Sequence, residues 1–125
     1  MLNNSGIYLT RPNSKIRKPL DLDKRRVHKV AKVNKDFIKF GKSERPLENR
    51  YRDYKKIFGD DVTFEPVVII NDTDKLRAFE SYISPLFDNY KISNPGSSRK
   101  LEWMTGISFD YAKEKILEAY KKFNS

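Results

Sequence analysis

The chain has 125 residues, enough for one domain with its own core and too few for two. It has no cysteine, which excludes disulfides, thiolate metal sites and a cysteine nucleophile. Its net charge is +9, and no apolar run approaches the roughly 20 residues that a membrane span needs. Because the polar N-terminus also lacks the apolar core of a signal peptide, we expect a cytoplasmic protein that does not associate with a membrane.

The positive charge is concentrated near the N-terminus. Residues 1–35 carry ten basic side chains against two acidic ones, a net charge of +8, which leaves +1 for the rest of the chain. Phosphate contacts by Lys and Arg release counterions, so a nucleic acid is the expected partner. A basic surface that only keeps the protein soluble is the alternative. The candidate nucleic-acid-binding residues are Lys15, Arg17, Lys18, Lys24, Arg25, Arg26 and Lys32, with Arg45 and Arg52 further along.

The first 24 residues are predicted to form a basic arm. They contain Pro12 and Pro19 and show no sustained apolar period, so they indicate a segment without a core of its own that becomes ordered on a partner. The folded domain is expected at residues 25–125.

A β-hairpin is predicted at the start of that domain. Alternating apolar residues over residues 26–33 favour a strand, and Asn34-Lys35 favours a turn. The second strand of the hairpin is residues 37–40, and Gly41 ends it.

Three helices and further extended segments follow. The helices are predicted from Pro46 to Gly59, from a cap at Asp72 or Thr73 to Ser84-Pro85, and from a cap at Ser108 to the C-terminal region. Residues 62–70 are a β-branched run that is apolar enough for the middle of a covered sheet, although Pro66 prefers an edge or a bulge. Residues 101–104 are a short extended segment. The order predicts an α+β fold with a small mixed or antiparallel three-stranded sheet flanked by helices.

One group of residues indicates chemistry on phosphates. The string Lys39-Phe40-Gly41-Lys42-Ser43 is followed by Arg50 and then Tyr54 one helical turn later, and Glu80 lies on the next predicted helix. Over about residues 26–120 this order resembles the GIY-YIG nuclease superfamily, in the branch common in phages and large viruses. In that resemblance Phe87 and the string Glu102-Trp103-Met104 match the downstream motifs.

The resemblance implies a DNA endonuclease or nickase that hydrolyses phosphodiester bonds, most readily of double-stranded DNA. It implies that Glu80 holds a divalent cation, Mg²⁺ or Mn²⁺, and that Arg50 contacts phosphate oxygens. The remaining candidate catalytic residues are Tyr54, Lys39, Lys42 and His28. It also implies a phage or mobile-element protein that acts in the cytoplasm of a host cell.

The resemblance departs from the family pattern at one position. The first signature strand should carry a tyrosine opposite the second, but the predicted hairpin places Val30 opposite Lys39. A literal Gly6-Ile7-Tyr8 occurs near the N-terminus, with Tyr8 33 residues before Gly41. Because the usual gap is less than half of that, we interpret it as coincidental; a long insertion between the two halves is the alternative.

Two alternative functions therefore stay open. One is a catalytically inactive DNA-binding or regulatory protein of the same fold, which the absent tyrosine favours. The other is a basic RNA-binding protein, which the charge alone supports.

Overall fold

The computed structural model describes residues 2–16, 18–19, 32–93 and 100–125, and these form an α+β fold. Along the chain the elements are β1 (Gly6–Pro12), β2 (Lys18–Pro19), β3 (Lys32–Val33), β4 (Ile38–Ser43), α1 (Leu47–Phe58), β5 (Val62–Ile69), α2 (Thr73–Ile83), a short 3₁₀ helix (Ser84–Phe87), β6 (Lys91–Ser93), β7 (Lys100–Met104) and α3 (Phe109–Phe123). The main sheet is antiparallel and its strand order is β5-β1-β4-β7-β6, while β2 and β3 form a separate two-stranded ladder.

The α+β class is confirmed, but the predicted number of strands is wrong. The main sheet has five strands where the sequence predicts three. The additional members include β1, which comes from the segment predicted to be an arm, and β6, which is only three residues long. β1 has a continuous apolar run and β6 is too short to show a period, so neither has the sustained alternation that identifies a half-buried strand.

The predicted hairpin about Asn34-Lys35 does not form. In the structure β4 pairs with β1 on one side, where Thr10 lies opposite Lys39, and with β7 on the other, where Trp103 lies opposite Lys39. β3 pairs with β2 instead. The predicted partner of Lys39, Val30, lies outside the described residues.

β4 pairs with β1 instead of the predicted segment because an interior strand needs apolar residues on both of its faces. β1 lies between β5 and β4, and its Ile7, Tyr8 and Leu9 are almost completely buried. Successive side chains of a strand point to opposite faces, so only a continuous apolar run suits that position. Residues 26–33 carry several Lys and Arg, whose burial without partners would be costly.

The two faces of the sheet pack against different helices. Ile7 and Leu9 belong to a core cluster with buried residues of α2 and α3. Tyr8, between them, belongs to a second cluster with Leu47 and Tyr54 of α1. The sheet therefore separates α1 from α2 and α3, and β1 contributes to both cores.

The predicted helices are confirmed with their caps. α1 follows Pro46 and ends at Gly59, whose φ of +73° is readily adopted by glycine. The side chain of Asp72 accepts a hydrogen bond from the backbone N–H of Lys75 at the start of α2. Ser108 caps α3 in the same way. Within the described ranges, no helix has the length and apolar character needed to cross a membrane.

β5 is an edge strand, so its predicted place in the middle of the sheet is wrong. Its register with β1 shifts between Ile7, which lies opposite Val68, and Tyr8, which lies opposite Pro66. The shift leaves Val67 as an extra residue, as in a β-bulge. A proline lacks an N–H to donate, so an edge strand with an irregular register accommodates it.

The burial of β1 predicts a large effect of shortening its side chains. Leu9→Ala should lower the free energy of unfolding by about 2 to 5 kcal/mol, because Leu9 is fully inaccessible and its removal leaves a cavity. Leu117→Ala is the matched control, since Leu117 is exposed, and it should cost less than about 1 kcal/mol. Urea denaturation followed by circular dichroism measures both. Equal effects would contradict the placement of β1 in the core.

Candidate functional site

Tyr8 and Gly41 face each other across the β1–β4 ladder. A Cβ atom added to Gly41 would lie 2.6 Å from the hydroxyl oxygen of Tyr8 and 2.8 Å from its ring Cζ. Both distances are far inside van der Waals contact. Only glycine at position 41 therefore leaves room for the Tyr8 ring to lie over β4, so the ring position depends on the absence of a side chain at Gly41.

The hydroxyl of Tyr8 meets the hydroxyl of Tyr54, which α1 supplies, at an oxygen–oxygen distance of 2.7 Å. Aromatic rings enclose the pair. Phe64 stacks on Tyr8 with ring centroids 4.9 Å apart, and Trp103 lies edge-on to Tyr54 at 6.4 Å. Tyr8 is 1% exposed and Tyr54 is 6% exposed, so the hydroxyl pair is set in an apolar wall.

Burial has a direct effect on how these phenols ionise. It raises the pKa of Tyr8 far above its usual range, and the charge of Lys39 opposes the rise only in part. Burial also raises the pKa of Tyr54 to about 12, with its hydrogen bond to Tyr8 opposing. Both residues therefore keep their protons at neutral pH. Each can donate or accept a hydrogen bond, but neither is a strong base there.

Two cations lie beside the tyrosine pair. The Nζ atom of Lys39 is 5.5 Å from the centroid of the Tyr54 ring. Arg50 lies one helical turn before Tyr54, and its charge acts to lower the pKa of both tyrosines. Its guanidinium is half exposed, with Nη1 3.8 Å from Oδ2 of Asp53, so most of its donors stay available to a phosphate.

Glu80 approaches the same place from α2. Burial raises the pKa of its carboxyl group; the charge and backbone N–H of Lys42 and the charge of Lys39 oppose the rise, while Glu102 adds to it. Lys39 thus acts on both Tyr8 and Glu80. The site therefore spans both faces of β4, with the tyrosines on the α1 side and the carboxylate on the α2 side.

Glu102 is a second carboxylate at this position. It lies in β7, and its Oε2 atom is buried without a hydrogen-bond partner in the part of the chain that the structure describes. A buried carboxylate oxygen without a donor is costly unless a cation or proton satisfies it. Glu80 and Glu102 are consequently the two residues with which this site could hold a metal ion.

An open cleft of about 720 Å³ leads along α1 from the end of β4. Its lining holds five cations and only two carboxylates, which suits a polyanion. The lining residues are Lys42, Ser43, Glu44, Arg45, Asn49, Arg50, Arg52, Asp53 and Lys56.

An ion-pair network joins the edge of this cleft to α2. Oε1 of Glu44 accepts hydrogen bonds from Nε and Nη2 of Arg77 at 3.0 and 2.7 Å, and Oε2 of Glu44 accepts one from Lys42 at 2.5 Å. The Arg77 contact, followed by that of Lys42, lowers the pKa of Glu44 to about 2. Because Arg77 lies one turn before Glu80, the network connects the β4–α1 loop to the helix that carries the carboxylate.

Of the predicted catalytic and metal-binding residues, Lys39 and Arg50 lie near Tyr54, and Lys42 donates its backbone N–H to Glu80. Of the predicted nucleic-acid-binding residues, Arg45 and Arg52 line the cleft, while Lys15 and Lys32 are exposed elsewhere and Lys18 lies in β2. The predicted residues outside the described ranges are Arg17, Lys24, Arg25, Arg26 and His28.

Tyr8 is the site residue that sequence reasoning missed. Its signal was present as Gly6-Ile7-Tyr8, which its distance along the chain from Gly41 excluded from the predicted pairing, and the structure places Tyr8 opposite Gly41. The long separation between them contains the β2–β3 ladder. A count of residues along the chain therefore gave the wrong partner for β4.

Comparisons with protein-family models, with curated proteins and with solved structures found no match to this chain. The interpretation of the site therefore depends on its geometry and on the order of its residues.

The contact between Tyr8 and Gly41 predicts a strong coupling between them. Gly41→Ala should lower the free energy of unfolding by about 1 to 3 kcal/mol, because the new methyl group displaces the tyrosine ring. In a Tyr8→Ala background the same change should have a much smaller effect. A double-mutant cycle from urea denaturation measures the coupling. Additive losses would show that the ring does not occupy this space.

The raised pKa of Glu80 predicts a pH-dependent effect of neutralising it. A folded-state pKa above the ordinary 4.5 means that the folded protein binds the proton more tightly, so Glu80 disfavours folding increasingly as pH rises through that window. Glu80→Gln should therefore be more stable than the wild type at about pH 7 and similar to it at about pH 3.5. Thermal unfolding without metal measures this. The exposed Glu118→Gln makes the same chemical change on α3 and is the matched control; an equal gain in stability at about pH 7 would contradict the role of burial at Glu80.

Proposed function

We propose that this protein is a DNA endonuclease or nickase with a site of the GIY-YIG type, which hydrolyses phosphodiester bonds with a divalent cation. The observation that carries the proposal is the position of Tyr8, opposite Gly41 and hydrogen-bonded to Tyr54. The motif residues from β1, β4 and α1 meet on the α1 side of the sheet, where the charge of Arg50 acts on both tyrosines, and Lys39 acts on these tyrosines and on Glu80 of α2. The tyrosine that the resemblance requires is thus supplied from the N-terminal strand.

The charge of the cleft supports DNA as the substrate. Five cations from β4, α1 and the loop between them line the cleft, which suits a phosphate backbone, and the N-terminal third of the sequence adds further basic residues. Contacts of this kind position a duplex without reading its sequence. The proposal therefore concerns double-stranded DNA as a class of substrate.

The carboxylates suit Mg²⁺ or Mn²⁺. No group of three His, Cys, Asp or Glu side chains forms a metal cage among the described residues. Mg²⁺ commonly keeps several waters and binds through one or two carboxylates and the substrate's phosphate, which Glu80 and Glu102 could provide. When bound, such a cation would neutralise charge on the phosphate and lower the pKa of a coordinated water.

The other residues have roles that follow from their positions. Arg50 presents an available planar guanidinium, which suits phosphate oxygens whose charge grows in the transition state. Tyr54 is the more exposed of the two phenols and is the one that would contact the attacking water. Tyr8 acts through Tyr54, by fixing the direction of its hydroxyl.

The alternative is a DNA-binding protein of the same fold that does not cleave. The raised pKa values of Tyr8 and Tyr54 favour it, because neither phenol removes a proton readily at neutral pH. In the nuclease proposal both tyrosines keep their protons and orient the attacking water through hydrogen bonds, while a bound divalent cation would lower the pKa of that water.

Nicking of supercoiled plasmid distinguishes the two. Wild-type protein should nick in Mg²⁺ and not in EDTA, and Glu80→Gln should lower the rate about a hundredfold or more while DNA binding is kept or strengthened, because a negative charge is removed. Arg50→Ala should lose both cleavage and affinity. Tyr54→Phe should slow cleavage without weakening binding.

Two matched variants control for nonspecific effects in that experiment. Glu118→Gln and Tyr120→Phe make the same chemical changes on α3, away from the cleft, and should cleave like the wild type. DNA binding without cleavage in any divalent metal would favour the inactive alternative. Cleavage in EDTA would contradict the role of Glu80.

A further inference from the structure

One face of α3 carries a stripe of four residues that are not among the buried residues of this helix. They recur at intervals of four, three and four residues, which places them on one side of a helix. The stripe consists of Tyr111, Lys115, Glu118 and Lys122. The buried residues Ala112, Ile116 and Ala119 lie on the side of α3 that faces the sheet.

The stripe forms one wall of a groove of about 300 Å³. The opposite wall is formed by Tyr82 at the end of α2 and Leu86 in the 3₁₀ helix. Tyr82 is 43%, Leu86 42% and Tyr111 47% exposed, so three of the five most exposed large hydrophobic side chains of the described residues meet in this groove. An apolar strip rimmed by charges is typical of an interaction surface.

We propose that this groove is the interface of a homodimer in which the α3 helices of two copies lie antiparallel. The intervals between the stripe residues are the same whether they are counted from the N-terminal or the C-terminal end of α3. A twofold axis that passes between Ile116 and Leu117 therefore places the stripe of one subunit against the stripe of the other. Lys115 then lies opposite Glu118 of the partner subunit. Tyr111 lies opposite Lys122 of the partner subunit, in position for a cation–π contact.

The charges select this arrangement over a parallel one. A parallel twofold pairing would bring Lys115, Glu118 and Lys122 each against the same residue of the other copy, which is repulsive at all three positions. In the antiparallel arrangement each charge of the stripe meets an opposite charge or an aromatic ring, and Glu114, which also lines the groove, lies opposite Ala119 of the partner subunit. Inside one chain, Nζ of Lys122 and Oε1 of Glu118 are 3.8 Å apart and both side chains are about 70% exposed, and Nζ of Lys115 lies 5.5 Å from the centroid of the Tyr111 ring.

The apolar groove and the charges contribute differently. Exposed ion pairs add little affinity by themselves, so burial of the aromatic and aliphatic surface of Tyr82, Leu86 and Tyr111 supplies the association. The ion pairs fix the direction and register of the two helices. Since α3 lies on the opposite side of the sheet from α1, each subunit of the dimer keeps its cleft open.

Reversal of single charges and their exchange test the interface. Sedimentation velocity of the full chain at concentrations up to about 200 µM should show a monomer–dimer equilibrium in the wild type. Lys115→Glu and Glu118→Lys should each weaken the dimer about tenfold, because each turns two symmetry-related attractions into repulsions. The double variant should restore the wild-type dissociation constant, since the charges again oppose each other.

Lys121→Glu is the matched control, because it makes the same charge change on an exposed residue of α3 outside the groove. It should leave dimerisation unchanged, and circular dichroism checks that all variants are folded. A protein that is monomeric throughout, a double variant as weak as the single ones, or an equal effect of Lys121→Glu would each overturn the proposal. None of these outcomes depends on nuclease activity, so the two proposals fail separately.

Discussion

The packing of Tyr8 over Gly41 is the contact on which the rest of this structure depends. It requires β1 to lie beside β4, which in turn places an N-terminal segment in the interior of the sheet between β5 and β4. The same placement divides the core, because the neighbours of Tyr8 along β1 face α2 and α3 while Tyr8 itself faces α1. Fold and candidate site are therefore determined together by one strand pair.

Burial gives the site its electrostatic character. The apolar surroundings keep both phenols in their neutral forms. Burial likewise raises the pKa of the Glu80 carboxyl group. Lys39, Lys42 and Arg50 act against these shifts from the polar side. Partly desolvated acids beside several cations are typical of a functional site.

The two sides of the sheet present surfaces of different chemistry. On the α1 side the lining of the cleft holds more cations than carboxylates, and this excess of positive charge favours an extended anion. On the other side the groove along α3 mixes exposed aromatic side chains with charges of both signs, which favours a protein surface over a nucleic acid. Because the sheet lies between them, each surface can be occupied without displacing the other.

The sequence by itself determined the local features of this protein. The three helices, their caps at Asp72 and Ser108 and their ends depend on residues only a few positions apart, so they could be read directly. The grouping of Lys39, Lys42, Arg50 and Tyr54 was predicted from the resemblance in their order, since strand periodicity by itself places Lys39 and Lys42 on opposite faces of β4. The function inferred from that grouping remains a proposal.

Only the tertiary structure decided which strand pairs with β4 and what lies opposite Gly41. Strand pairing joins residues of any separation, and the free-energy cost of closing a longer loop grows only slowly with its length. The segment nearest in sequence therefore had little advantage over β1, whose Ile7, Tyr8 and Leu9 could be buried on both faces. Burial of apolar surface thus favours β1 as the neighbour of β4. Because Tyr8 lies on β1, its hydroxyl group is placed in the site by the same pairing.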